Sequence, residues 1–188
     1  MSKDTQLLDS FEKTLQLGLE RICEAAGLLE GGLLQSDDID SKWEEYIKDY
    51  VADAVQNFND YPEAALAWAG FLGMGVAHNW DDSWTLHRHD VYRDYYGARG
   101  WDDMDEHILR GVLGLNLDSP EAKKISGTLQ SCALATLGLI SHEGIEPQTA
   151  TGFYALTRSY SVFYRIGEGI ELRRLGYKKE AVDPASLK

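Results

Sequence analysis

Pro62-Glu-Ala-Ala-Leu-Ala-Trp-Ala-Gly-Phe-Leu-Gly-Met-Gly-Val-Ala-His-Asn79 is the stretch on which the fold of this 188-residue chain turns. Its proline stands where a helix begins, a position whose N–H has no intrahelical partner in any case, and no later residue breaks the pattern. Apolar or small residues occupy every angular position around it, which predicts a helix from Pro62 to near Asn79 buried on all sides. Ala64, Ala65, Ala67, Ala69, Gly70, Gly73 and Gly75 remove side-chain bulk so that neighbouring backbones can approach, while Trp68, Phe71 and Met74 supply the knobs. The apolar run Ala64 to Ala77 is shorter than the ~20 residues a bilayer span requires, so it is a core helix and no membrane role is expected.

A rod buried all round needs a coat. Outward in both directions apolar residues recur three and four apart and almost never alternate, so helices are expected and a sheet is not. Leu8, Phe11, Leu15, Leu19, Ile22 and Ala26 form one stripe of a first helix from Asp4 to Ala26, stopped near Gly27. Ser41 and Glu44 fit a capping box ahead of a second helix reaching Asn59. Further helices are predicted from Trp84 to Tyr96, from Asp102 to Leu115, from Pro120 to Ile140 and from Pro147 to Gly176, the Pro120 helix being apolar enough from Cys132 onward to be central. The expectation is an all-α, single-domain bundle of six or seven helices over 1–176, with one or two central, fully apolar helices and a frayed tail at 177–188.

The chain carries 31 acidic and 18 basic residues, for a net charge of −13. Repulsion from phosphate backbones and anionic lipid excludes nucleic acid as a natural partner. Two cysteines, Cys23 and Cys132, form no CxxC and sit on apolar helix faces, which suits reduced, buried thiols. Met1 to Thr5 has no apolar signal core, so a cytoplasmic protein is expected. The acidity is uneven. Asp37 to Asp60 holds eight acids against Lys42 and Lys48, and His78 to His107 holds eight against Arg88, Arg93 and Arg99, whereas Arg110 to Lys188 has ten bases against eight acids. Arg158 and Arg165 are expected to pair with carboxylates of those acidic segments, and Glu171, in phase with the aromatic stripe of the last helix, needs a partner if buried.

Four of the five histidines, three of the five tryptophans and seven aspartates fall within the thirty residues 78–107. Imidazole and carboxylate are the raw material of metal sites and acid–base pairs. His78 and Asp82 are four apart, as are Asp103 and His107, so each pair can project from one helical face, with His87, His89 and Asp90 between them. No HExxH occurs and no glutamate precedes a histidine by three, which removes the zincin and di-iron bundle signatures. The doublet His89, Asp90 resembles the metal-binding doublet of HD-type phosphohydrolases, which are also all-helical. That resemblance covers two residues and implies an upstream histidine and a distant aspartate completing the site; His78 lies eleven residues upstream. The competing structural account makes His78 a helix-end cap and Asp81, Asp82, Asp102 and Asp103 N-terminal caps.

Three functions follow as expectations. First is binding of a basic protein partner by the acidic faces, as an adaptor, inhibitor or immunity-like protein does, with no cofactor and with self-association left open. Second is a hydrolase holding a divalent metal on His78, Asp82, His89, Asp90, Asp103 and His107. Third is a small-ligand pocket among Trp68, Trp80, Trp84, Tyr92 and Tyr96.

Overall fold

The computed structural model describes residues 2–179. Six helices run α1 (Lys3–Ala25), α2 (Asp37–Asn57), α3 (Pro62–His87), α4 (Met104–Glu106), α5 (Pro120–His142) and α6 (Ala150–Arg174), and no strand occurs among the described residues. Between α3 and α5 the chain makes 3₁₀ turns at Tyr92–Tyr95 and Trp101–Asp103, then a π-helical turn at His107–Val112. One apolar core joins all six, as the helical periodicity predicts.

Capping explains most of the boundaries. Ser2 accepts from Thr5 N, Ser119 from Ala122 N and Thr149 from Gly152 N, each oxygen satisfying a backbone donor that the helix leaves unpaired. Thus α6 starts at Thr149 and not at Pro147. Helix α2 begins four residues before the expected Ser41 box, with Asp37, Asp38 and Asp40 in its first turn where the helix dipole favours anions. Ser41 lies inside it and donates to Asp37 O at 2.7 Å. Helix α3 does not stop at Asn79. With no glycine or proline to end it, it continues through a kink at Ser83 (φ −162°, ψ 95°) to His87.

The centre of the bundle is a crossing of α3 and α6. Every residue from Leu66 to Ala77 except Trp68 is buried, as is every residue from Ile166 to Leu172. The second central helix is therefore α6, and α5, to which the sequence points, lies outside: its Leu134 is 53% exposed and one face meets solvent. The reason is glycine on both partners. A Cβ on Gly167 would collide with the Gly70 carbonyl and one on Gly73 with the Tyr164 carbonyl, so the two backbones touch where no side chain intervenes. The first residues after α6 are held rather than loose: the Tyr177 ring packs 5.6 Å from Trp80 and its hydroxyl donates to Asp81 at 2.6 Å. The remainder of the expected tail, 180–188, lies outside the described residues.

Candidate binding surface

The six residues named as metal ligands stand in four separate places. His78 is mid-helix, not a cap, and its Nδ1 is 3.0 Å from Glu171 Oε1 on α6. Asp82 and Asp90 both turn to His87, which stands in the same cluster outside the expected ligand set: its Nδ1 is 2.7 Å from Asp90 Oδ2 and its Nε2 3.6 Å from Asp82 Oδ2. His89 is exposed, its Nε2 accepting from Arg88 Nε at 3.2 Å, so the His89, Asp90 doublet does not act as a unit. Asp103 and His107 do share a cleft of about 180 Å³ with Glu106 and Arg110. Asp103 is occupied there, accepting from Arg99 Nε at 2.8 Å, and this guanidinium holds its carboxyl below the usual value. Among the described residues no three histidine, cysteine, aspartate or glutamate side chains gather as a metal would need. The continuation of α3 through its kink to His87 leaves His78 beside α6 and turns Asp82 to His87 instead. Asp81 and Asp82 are accordingly helix-interior, and Asp102 and Asp103 belong to a 3₁₀ turn with no side-chain cap.

The aromatic set divides as well. Trp68 donates to Trp101 O at 2.9 Å, near the start of α3. Trp80, more than three turns on, donates to Asp38 Oδ2 at 3.2 Å, and Trp84 is half-buried beyond it. Tyr92 and Tyr96 converge on α2, both hydroxyls donating to Asp53 Oδ2, the Tyr92 bond at 2.8 Å. Burial, with the Asp53 bond second, pushes the Tyr96 hydroxyl up to about 12, so both remain donors at neutral pH. This pair braces the 3₁₀ turn against α2.

Charge separates by helix. Arg158 reaches Asp9 and Glu12 of α1, Arg165 reaches Glu12 at 3.1 Å, Arg173 reaches Glu30 at 3.6 Å and Arg174 reaches Glu171 at 2.8 Å. The predicted pairing of Arg158 and Arg165 thus holds in kind, with α1 in place of the acidic segments. On α2 the outcome is opposite. Lys42 is sunk to 3% exposure, donating to Glu45 at 3.1 Å and to Asp90 O at 3.2 Å. Asp37, Asp38, Glu44 and Asp49 are exposed and meet no cation among the described residues. The kinked end of α3 adds exposed Asp81 and Asp82 beside them, tied to α2 through Trp80 and Asp38.

Two buried carboxylates on α6 complete the picture. Glu171, fully buried, meets both His78 and Arg174, the partners its phase required. Glu168 has no warning in the sequence beyond its glycine neighbours. Its Oε1 accepts from Ser36 N at 2.7 Å, while Oε2 and Asp40 Oδ1 are both buried without another partner. Burial, then the bond with Asp40, pushes its carboxyl up to about 10. A proton on Glu168 Oε2 donated to Asp40 satisfies both oxygens at once. Cys23 and Cys132 are buried with sulfurs 3.8 Å apart, and that bond together with burial pushes the Cys132 thiol up, away from nucleophilic chemistry.

Compared with protein-family models, with curated proteins and with solved structures, the chain matches none significantly. No helix among the described residues is long and apolar enough to cross a membrane.

Proposed function

We propose that the protein works by binding, presenting the outer face of α2 and the kinked end of α3 to a basic protein partner. One observation carries this reading: the arginines of α6 are spent within the molecule on α1, Glu30 and Glu171, while exposed Asp37, Asp38, Glu44 and Asp49 of α2 meet no cation among the described residues. Unpaired like charges on one face repel each other and add nothing to folding, whereas an opposite potential across an interface steers encounter and fixes orientation. That His78, His87 and His89 each turn to a different neighbour favours binding over a shared histidine centre. The reading needs no cofactor.

The test is affinity capture from the extract of the cell that makes the protein, followed by binding of the captured partner to purified chain. Wild type is expected to bind with an affinity that falls steeply with salt. The triple variant Asp37→Asn, Glu44→Gln, Asp49→Asn is expected to bind about tenfold more weakly at low salt and with a shallower salt slope. Equal affinity and an equal slope for the variant would overturn the proposal.

A further inference from the structure

Away from that face, a cavity of about 330 Å³ opens between the start of α3, α4 and α5. Three aromatic residues of α3 and its N-terminal flank line it, Tyr61, Trp68 and Phe71, together with Glu63, with Asp105 of α4 and with Gln130 of α5. The indole N–H of Trp68 is already engaged by Trp101 O, and its ring is set edge-to-face against Phe71 with centroids 5.7 Å apart. The indole is therefore fixed and has no hydrogen bond left to offer. What it contributes to the cavity lining is its aromatic ring.

Asp105 is half-buried and meets no lysine, arginine or histidine among the described residues. A partly desolvated carboxylate without a counter-ion costs folding energy, and every other strongly engaged acid of this chain has a partner of its own: Asp103 has Arg99, Glu171 has Arg174, Glu168 has Asp40. Two carboxylates repel an anion. A neutral apolar guest would strip water from Asp105 and leave it unpaired. A hard divalent cation wants six or more oxygens, and the cavity brings two carboxylates. A cation with an apolar skin satisfies all parts together, because the ring faces attract it and the carboxylate neutralises it.

We propose that this cavity is a binding site for an organic cation, an alkylammonium group seated against the Trp68 ring with Asp105 as its counter-ion and Glu63 at the rim. The inference does not rest on the acidic-face reading. The ammonium belongs either to a free amine or to a lysine side chain of a peptide, and the two are told apart by measurement.

Calorimetric and protein-detected NMR titrations with n-butylammonium, tetramethylammonium and N-acetyl-lysine methylamide are the experiment, with n-butanol as the uncharged control. Butylammonium is expected to bind at roughly millimolar strength, as a group this small should, and at least about tenfold more tightly than butanol. Asp105→Asn is expected to lose at least about tenfold of that affinity while its thermal midpoint stays equal or rises, which separates loss of the site from loss of the fold. Tyr61→Ala, at a position 60% exposed, should weaken binding severalfold with an unchanged circular dichroism spectrum. Tighter binding of the lysine derivative assigns the site to a peptide, and tighter binding of the free amines assigns it to a small molecule. Equal binding by Asp105→Asn, equal binding of butanol, or no saturable binding up to about 50 mM amine would overturn the proposal. The α2 triple variant keeps its amine affinity, so failure of one reading leaves the other standing.

Discussion

Helices α2 and α6 are similar in length, lie in the same bundle and both carry acids and bases, yet they handle charge in opposite ways. On α6 every arginine finds a carboxylate, and its two buried glutamates are held by a histidine, an arginine, a backbone N–H and another carboxyl. On α2 one of the two lysines, Lys42, is buried beneath the face and pairs with Glu45, while exposed Asp37, Asp38, Glu44 and Asp49 meet no cation among the described residues, exposed Lys48 included. Charges on α6 are thus part of how the bundle closes. Asp37, Asp38, Glu44 and Asp49 on α2 make no ion pair among the described residues, so beyond the helix-dipole contribution of the first turn they do little to close the bundle.

The contrast breaks most visibly at Arg174. Arg174→Ala leaves the fully buried Glu171 with His78 alone, and a stranded buried carboxylate is expected to cost about 3 kcal/mol, read as a lower urea midpoint. A loss under about 0.5 kcal/mol would mean that α6's charges matter no more to folding than surface ones.

Glu168 sharpens the comparison through pH. Its carboxyl sits near 10 in the fold against an ordinary 4.5, so the folded state binds the proton more tightly. The stability this contributes is fully present below about 4.5 and is lost as pH rises toward about 10. Glu168→Gln keeps a donor for Asp40 and an acceptor for Ser36 N while removing the titration. Relative to wild type its denaturation midpoint should climb steadily from pH 7 to 10, and parallel profiles would show that no proton is held there.

The smallest effect is expected on α2. The triple variant Asp37→Asn, Glu44→Gln, Asp49→Asn should change stability by no more than about 0.5 kcal/mol, in either direction, because no partner within the chain is lost. A large destabilisation would show that these acids hold the fold together after all, and would remove the contrast with α6.

Much of this architecture was legible before any coordinates. Pro62–Asn79 reads as a buried rod and is one, and the phase of Glu171 called for a buried partner that His78 and Arg174 provide. The segment 78–107 is less legible, because its histidines suggest convergence, whereas His78 turns to Glu171, His87 to Asp90 and His89 to Arg88. The cavity beside Asp105 is half visible in the sequence: Trp68 and Glu63 stand on the legible α3, while Tyr61 and Asp105 reach it from a turn and a short element whose placement no periodicity encodes.

Helix formation depends on residues three and four apart, so the order of letters alone determined that this chain is a bundle, where most of its rods begin and that its charge is lopsided. Which acids are neutralised depends on residues far apart in the chain. Arg158 finds Asp9 across 149 residues and Glu168 finds Ser36 across 132. Only the tertiary structure, with α3 and α6 crossing where paired glycines let their backbones touch, decided which charges find a partner and which remain exposed.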